Sequence, residues 1–248
     1  MRFATYSRPS NTLMFNEASD SGLLIAFEGS DGSGKTTQRK LFKAWLDTTE
    51  DVVVTKWNSS PIFKPLIKAR KAARLLDPAT YAVLHAADFR HRYESVIVPS
   101  LEDGKIVLAD RYAFTGIARD VARGMNRQWS INLYAPVRKP DIVFYFAAPV
   151  DVCAGRIAAA REMKFYEAGQ DITGLESAYE SFLRFTPKVL AEYERLARQF
   201  NFVIVDAQRP IYDQHRFIRE TYLERMAVAA TPSQLQPQLD AFLSQVDV

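Results

Sequence analysis

The sequence is poor in the residues that build disulfide-bonded and metal-centred folds. Its 248 residues include one cysteine, Cys153, and three histidines, His85, His91 and His215. A single cysteine cannot form an intrachain disulfide or a cysteine-rich zinc site, and a reducing compartment is the natural expectation. The histidines do not have the spacing of a metal site. These scarcities exclude a disulfide scaffold and argue against a zinc centre.

The sequence also lacks a long hydrophobic run and a strong charge bias. No apolar stretch approaches the roughly 20 residues of a membrane-spanning helix, and residues 1–20 contain no apolar segment of the secretory type. The net charge of +3 is too small to predict non-specific binding of nucleic acid. With 48 % hydrophobic and 25 % charged residues, the composition is globular. We therefore expect a soluble cytoplasmic protein without membrane or nucleic-acid partners.

Five short apolar runs predict the strands of a parallel sheet. Each run has four or five residues, mostly β-branched or aromatic, and does not alternate with polar residues, which is typical of strands buried on both faces. Together they predict an α/β fold around a five-stranded parallel sheet. The runs are Leu23–Phe27, Val52–Thr55, Ile106–Ala109, Ile142–Phe146 and Phe202–Val205.

Longer segments between these runs have helical periodicity, because their apolar residues recur at three- and four-residue steps. The alternation of strands and helices predicts a doubly wound sheet with helices on both faces. Residues 21–226 are expected to form this domain, residues 1–20 a flexible N-terminal arm and residues 227–248 a C-terminal tail. The segments with the clearest helical pattern are Thr37–Thr48, Ala79–Val98 and Ser177–Phe200.

A glycine-rich segment directly follows the first predicted strand. Residues 29–36 form the complete phosphate-loop motif G-x-x-x-x-G-K-T between a strand and a helix. The glycines let successive N–H groups point inward as an anion nest, and the helix directs its positive end to the same point. Lys35 would approach the β- and γ-phosphates of ATP, and the Thr36 hydroxyl would bind Mg²⁺. The residues assigned to ATP are Gly29, Asp31, Gly32, Ser33, Gly34, Lys35, Thr36 and Thr37.

A second charged segment ends the third predicted strand. Asp110 and Arg111 follow the run Ile106–Ala109, and ligands of open α/β sheets bind at the carboxyl ends of the strands. Asp110 would therefore lie beside the phosphate loop and hold Mg²⁺ directly or through water. The fork of Arg111 suits phosphate oxygens. The alternative is structural, with Asp110 capping the next helix and Arg111 solvated.

Two of these segments resemble a known family. The stretch Phe27–Gln38 is similar to the opening of the thymidylate kinase family, and Asp110–Gly116 resembles its D-R-Y motif, with Thr115 where serine is usual. The resemblance covers about residues 22–222. It implies a P-loop kinase fold, ATP as phosphoryl donor, Mg²⁺ as cofactor, a small phosphorylated acceptor with thymidine monophosphate as the default, and a possible homodimer. Weaker similarities lie at residues 140–146, 156–167 and 206–207.

The resemblance also implies roles for single residues. Asp31 would bond the 3′-hydroxyl of the acceptor sugar, Arg111 would contact the acceptor phosphate, and Arg156 would stack on the donor adenine. Lys35 and Arg111 would stabilise the charge of the transferring group, which needs alignment and positive charge rather than a protein nucleophile. The further acceptor contacts are assigned to Trp57, His85, Phe89, Tyr112, Thr115 and Tyr166.

Residues 156–172 lie where the family has its lid. Because Gly32 stands where some members have an arginine, the lid cations Arg161 and Lys164 would reach the transferring phosphoryl group as the lid closes. These cations are three positions apart, so on a helix they would share one face. The alternative for them is a solvated charged surface.

The acceptor side departs from the family pattern. After the second predicted strand no arginine occurs before Arg70, although the family has a phosphate-binding arginine there. Counting back from Asp110, Phe89 stands where the family has a base-reading arginine, and His85 where it has an aromatic that stacks on thymine. Phenylalanine removes a donor to the base carbonyl, so thymine specificity is poorly supported. The structural alternatives are a packed His85 and a Trp57 that only covers the sheet edge.

Several alternatives therefore stay open. The basic segment Lys64–Arg74 could touch the acceptor phosphate or form the wet side of a helix. The same chemistry could serve another nucleotide, a nucleoside or a small phosphate. The chain could also be a nucleotide-binding module without transferase activity, or a nucleic-acid-stimulated NTPase.

Overall fold

Five parallel strands form the centre of the fold in this computed structural model, which describes residues 15–16 and 21–229. The spatial order is β2–β3–β1–β4–β5, where the strands are β1 (Leu23–Glu28), β2 (Val52–Lys56), β3 (Ile106–Asp110), β4 (Ile142–Ala147) and β5 (Val203–Asp206). The three inner strands β3, β1 and β4 are almost wholly buried, which explains their unbroken apolar sequences. The predicted doubly wound five-stranded sheet is confirmed.

Helices cover both faces of the sheet. Alternate residues of β1 serve the two faces: Leu24 belongs to the core beneath α3, α5 and α10, and Ile25 to the core beneath α1 and α11. A π-helical turn, Tyr93–Ile97, joins α3 to α4 and interrupts the single helix expected at Ala79–Val98. The helices are α1 (Lys35–Leu46), α2 (Phe63–Ala72), α3 (Pro78–Arg92), α4 (Val98–Glu102), α5 (Ala113–Ala122), α6 (Arg127–Tyr134), α7 (Val150–Ala160), α8 (Phe165–Ala168), α9 (Gln170–Thr173), α10 (Ala178–Phe200) and α11 (Ile211–Ala229).

The register of the sheet brings the carboxyl ends of its central strands together. Phe27 of β1 pairs with Asp110 of β3 on one side and with Phe144 of β4 on the other, and Asp110 also pairs with Lys56 of β2. The residues that follow these strands therefore meet at one edge of the sheet. This edge holds the phosphate loop and the Asp110–Arg111 segment.

A two-residue parallel strand pair, Phe15–Asn16 with Val137–Arg138, lies outside the main sheet. Two residues are too few to show a period, so the sequence does not predict this pair. Phe15, within the expected N-terminal arm, packs edge-on against Phe114 and Phe200. The other residues of the arm, and the tail beyond α11, lie outside the described residues. None of the helices in the described part is long and apolar enough to cross a bilayer.

Candidate functional site

The phosphate loop connects β1 to α1 at the edge of the sheet. Gly29, Gly32 and Gly34 have φ angles of 145°, 79° and 89°, which side chains rarely adopt. A Cβ atom on Gly32 would lie 2.4 Å from the carbonyl oxygen of Cys153 in α7. An arginine at this position therefore does not fit the packing of the loop against α7. Gly34 directly precedes the first turn of α1, and the free N–H groups of a helix N-terminus are suited to bind an anion in the loop.

Lys35 is buried within this loop, at 5 % exposure, and its ammonium group donates to the carbonyl oxygen of Ser30 at 2.9 Å. Burial, together with the positive charge of Arg111, lowers the pKa of Lys35 to about 8. The hydroxyl of Ser33 is also buried and has no hydrogen-bond partner among the described residues. Thr37 is exposed in the first turn of α1. The loop thus holds a cation and an unused hydroxyl that a phosphate chain could satisfy.

Thr36 and Asp110 face each other at the ends of α1 and β3. The Thr36 hydroxyl donates to Asp110 Oδ2 at 3.2 Å, and Arg39 Nε donates to the same oxygen at 3.2 Å. Hydroxyl and carboxylate oxygens suit Mg²⁺, which usually completes its coordination with water and substrate phosphates. In residues 15–16 and 21–229 no group of three or more His, Cys, Asp or Glu side chains could hold a metal alone. The pair fits a Mg²⁺ ion shared with a nucleotide.

Asp31 is held between two arginines. Its Oδ1 accepts from Arg111 Nη2 at 2.6 Å, and its Oδ2 accepts from Arg119 Nη2. Burial alone would raise the pKa of Asp31, but the two guanidinium groups hold it well below its ordinary value. Arg111 has a φ of 75° and also donates to the carbonyl oxygen of Gly29 at 2.9 Å. Arg111 therefore joins the phosphate loop to the adjoining cavity, and Asp31 remains an ionised acceptor.

Arg119 is a functional residue that the sequence analysis missed. It lies on α5, four residues after Thr115 and eight after Arg111. Residues at four-residue steps share one face of a helix, so this spacing was the signal that could have identified it. Arg119 adds positive charge to the cavity beside Asp31.

Buried Glu28 holds the wall behind Arg111. Its carboxylate accepts from the Tyr112 N–H at 2.7 Å, the Thr115 hydroxyl at 2.5 Å and the Tyr193 hydroxyl at 2.8 Å. Burial raises the pKa of Glu28. The expected acceptor contacts at Tyr112 and Thr115 are not open to the cavity, because both side chains are fully buried. In this structure they support Arg111 from behind.

A cavity of about 440 Å³ opens beside Asp31, within the usual size range of small-molecule sites. Positively charged side chains outnumber carboxylates in its lining, which also includes several aromatic rings. An anion with a flat ring system suits these walls. Four of the expected acceptor residues line the cavity: Asp31, Trp57, Arg111 and Tyr166. The cations are Lys71, Arg111, Arg119, Arg161 and Lys164, and the further rings are Tyr81 and Phe165.

His85 and Phe89 lie behind the cavity, each at 1 % exposure, so the contacts with the acceptor expected from them are wrong for this structure. His85 Nδ1 lies 2.7 Å from the Tyr81 carbonyl oxygen, and its Nε2 lies 2.9 Å from Lys71 Nζ. Phe89 belongs to the hydrophobic core. The physical reason is that Trp57 and Tyr81 stand in front of them. The packed alternative for His85 therefore holds.

Arg161 and Lys164 lie at the rim of the cavity but not on one helix. Helix α7 ends at Ala160, Arg161 is extended, and Lys164 directly precedes α8. The expectation that both share a helix face is wrong because the chain leaves the helix between them. Arg161 forms a salt bridge with Glu167 at 2.6 Å. Both cations nevertheless border the cavity.

Arg123 ties the lid to α5. Its Nε donates to Asp171 Oδ2 at 2.8 Å, and its Nη2 donates to the Tyr166 carbonyl oxygen at 2.7 Å. Its guanidinium group lies 4.0 Å from the ring centre of Tyr81. The side chain is completely buried. Arg123 was not identified from the sequence, although it continues the four-residue spacing of Arg119, and it fixes α8 and α9 against the cavity wall.

Arg156 lies on the other side of the phosphate loop. Its Nη2 donates to the carbonyl oxygen of Ala207 at 2.9 Å, and its Nη1 to that of Gly32 at 3.5 Å. The loop and the segment after β5 therefore meet at this guanidinium group. This placement is compatible with a donor base beside Arg156 and an acceptor beside Asp31.

Comparisons with known proteins agree with this geometry. The family model described as "Thymidylate kinase" matches residues 27–218. The chain is 40% identical over 201 residues to "Probable thymidylate kinase 2" of Saccharolobus solfataricus, covering 80% of this chain and 94% of that protein. It is 31% identical over 209 residues to "Probable thymidylate kinase" of Thermococcus gammatolerans, and 32% identical over 207 residues to that of Pyrococcus abyssi, with 79% of this chain and 94% of each relative covered.

Proposed function

The chain belongs to the thymidylate kinase family, and from this premise we propose that it transfers the γ-phosphoryl group of ATP to the 5′-phosphate of thymidine monophosphate. The products are thymidine diphosphate and ADP. One observation carries the proposal. Arg111 bonds both the carbonyl of Gly29 in the phosphate loop and the carboxylate of Asp31 at the cavity, so two anion sites share one cation at their junction.

The side chains around this junction supply what phosphoryl transfer requires. Transfer between two anions depends on alignment and on positive charge placed where charge develops. Lys35 would exchange the Ser30 carbonyl for the β- and γ-phosphate oxygens, and Arg111 would lie between donor and acceptor. Asp31 would accept from a sugar hydroxyl because its two arginines keep it ionised. Arg161 and Lys164 would cover the site and keep water out.

We infer that Mg²⁺ is the cofactor and that Thr36 and Asp110 hold it. When bound, the ion would draw negative charge from the phosphate oxygens. Arg39 and Thr36 both donate to Asp110 Oδ2, which fixes the orientation of the carboxylate. Arg39 is thus a positioning residue for the metal ligand.

A different acceptor is the second candidate, and the burial of His85 and Phe89 favours it, because neither residue can read a base from behind the cavity wall. A nucleotide-binding module without activity is less well supported. Arg119 lines the cavity and supplies the positive charge that the sequence lacks after its second strand. The cavity therefore has the positive charge that phosphoryl transfer to an acceptor requires.

We also infer a homodimer in the cytoplasm. Apolar side chains are exposed directly before α2, on α2, between α2 and α3, and on α3: Ile62 at 63 %, Leu66 at 48 %, Leu75 at 55 % and Val83 at 48 %. A second copy of the chain would remove such a surface from water.

Replacing Lys35 with methionine tests the proposed reaction. We expect the wild-type protein to release ADP in the presence of ATP, Mg²⁺ and thymidine monophosphate. Lys35→Met should lower kcat about 10²- to 10³-fold, because it removes one donor aimed at developing charge. The assay is coupled ADP release with a panel of ribo- and deoxynucleoside monophosphates.

Lys40→Met is the matched control, since Lys40 is an exposed residue of α1 and should leave turnover unchanged. Circular dichroism and thermal unfolding establish that both variants fold. Unchanged turnover in the Lys35 variant would refute the assignment of the loop to transfer. A strong preference for another acceptor would replace thymidine monophosphate and leave the kinase assignment intact.

A further inference from the structure

Lys71 is a partly buried cation that the reaction outlined above does not use. It lies near the end of α2 and lines the cavity beside Asp31. Its ammonium nitrogen is 2.9 Å from His85 Nε2 and 5.0 Å from the centre of the Tyr81 ring. Burial lowers the pKa of Lys71. Removing part of the hydration of the ammonium group is unfavourable. A ligand that accepts hydrogen bonds from this group would offset that cost.

His85 determines the hydrogen-bonding pattern of Lys71. Its Nδ1 lies 2.7 Å from the carbonyl oxygen of Tyr81, and a carbonyl oxygen only accepts. Nδ1 therefore carries the ring proton, and Nε2 offers its lone pair to the ammonium group. Burial and the adjacent Lys71 lower the pKa of His85 well below its ordinary value, so the ring stays neutral. One of the three ammonium protons is used, and two remain for a ligand.

Lys71 lies against His85 and the Tyr81 ring, whereas Arg111 contacts Asp31 and the carbonyl oxygen of Gly29 in the phosphate loop. A nucleoside monophosphate with its phosphate at Arg111 would place its base against the aromatic side chains of the cavity. There the rings of Trp57 and Tyr81 line the same cavity and supply flat apolar surfaces for a base.

We propose that Lys71, positioned by His85, is the donor that reads a carbonyl oxygen on the base of the acceptor nucleotide. This rests on the proposed function, and it assigns the role of the absent base-reading arginine to a residue of α2. The Phe89 side chain is in the core and cannot perform it. A donor-only group favours a base with a carbonyl oxygen at the edge it meets and disfavours one with an amino group there. Lys71 thus selects thymine or uracil over cytosine.

The test compares acceptors that differ at this edge. We expect wild-type kcat/KM to be higher for thymidine monophosphate than for deoxycytidine monophosphate. Lys71→Met should lower that ratio about 10- to 100-fold, because it removes the donor that discriminates between the bases. The KM for ATP should stay the same. Lys68→Met, an exposed lysine on the same helix, is the control and should keep the wild-type ratio.

Binding measurements separate this inference from the proposed reaction. Isothermal titration calorimetry of each monophosphate without ATP reports the base preference even where turnover is absent. Failure of the wild type to phosphorylate any acceptor would refute the proposed function, while a ratio of affinities that falls in Lys71→Met would still support the role of Lys71. An unchanged ratio, or an equal loss for both nucleotides, would overturn it, since a cation on the phosphate weakens all acceptors alike.

Two His85 variants test its positioning role. His85→Gln keeps an oxygen that can accept from Lys71, and His85→Phe removes the acceptor at similar volume. The glutamine variant should retain most of the base preference, and the phenylalanine variant should approach Lys71→Met while kcat for thymidine monophosphate changes little. Thermal unfolding confirms that each variant folds. A phenylalanine variant with the wild-type preference would contradict the role of His85.

Discussion

Two carboxylates at the phosphate loop have different hydrogen-bond partners, which suit them to different ligands. Asp31 has one arginine on each oxygen, so it stays ionised and would accept a hydrogen bond from a ligand hydroxyl. Asp110 shares one oxygen between Thr36 and Arg39, which fixes the orientation in which the carboxylate would bind the inferred Mg²⁺. The sequence motifs identified both residues, but the two arginines around Asp31 determine its charge state.

Asp120 is a buried carboxylate whose replacement should stabilise the protein. Neither of its oxygens, nor the neighbouring Tyr134 hydroxyl, has a hydrogen-bond partner within the described part of the chain. Burial raises the pKa of Asp120 to about 7, above the value near 4 of an unfolded chain. The folded state therefore binds the extra proton between about pH 4 and 7, and its stability falls as the pH rises through that window.

Asp120→Asn removes this titration. We expect the variant to raise the free energy of unfolding by about 1–3 kcal/mol at pH 8 and to flatten its pH dependence between pH 4 and 7. Urea unfolding at several pH values measures both effects. The control is Asp103→Asn, because Asp103 is exposed and should leave the slope unchanged. A variant that keeps the wild-type slope would count against a neutral Asp120.

At the scale of elements, the five strands begin and end within one residue of the apolar runs that predicted them. Helices α1 and α10 also follow their periodicity closely. The sequence did not predict the π-helical turn Tyr93–Ile97, since an extra residue in a turn leaves the apolar pattern nearly unchanged. It also did not predict the break after α7, where Arg161 leaves the helix. A regular apolar periodicity can be recognised in the sequence, whereas the places where a helix is interrupted depend on tertiary contacts.

The link between α5 and the lid is an element-scale feature that mutation can break. Arg123→Met would leave the Asp171 carboxylate buried without its partner, which costs about 3–5 kcal/mol. We expect lower stability, and faster amide exchange in residues 165–173 than in β1 and β3. Hydrogen exchange followed by mass spectrometry measures this difference.

Arg127→Met is the matched control for the lid. Arg127 pairs with Glu192 at 2.6 Å and ties α6 to α10, so its loss should weaken the protein without selectively accelerating exchange in the lid. A variant of Arg123 whose lid exchanges at the wild-type rate, despite lower stability, would show that Arg123 does not anchor it.

At the scale of the whole molecule, one half of the candidate site consists of residues that are contiguous in sequence, and the other half consists of residues that are distant in sequence. The phosphate loop and the Asp110–Arg111 segment are contiguous motifs, so the sequence identified them. The cavity wall is assembled from residues far apart along the chain, such as Trp57, Tyr81 and Arg119. No spacing in the sequence relates such positions, because their proximity arises only when the end of β2, α3 and α5 come together in the fold.

The exposed apolar surface on α2 and α3 leads to a prediction about assembly. We expect size-exclusion chromatography with light scattering to give twice the 28.2 kDa mass of one chain. Combined Leu66→Glu and Val83→Glu substitutions should yield the monomer, because they place charges in an apolar contact. The control Leu41→Glu, which changes an exposed side chain of α1, should remain a dimer. A monomeric wild-type protein would refute the inference.

The close approach of Gly32 to the Cys153 carbonyl also restricts how this protein can diverge. An arginine could enter the loop only after α7 had shifted, and such a shift would first disturb a working site. The two changes would have to occur together, so single substitutions do not connect this loop to one that carries its own arginine. Additional positive charge is accommodated more easily around Arg161 and Lys164, which border the cavity outside this contact.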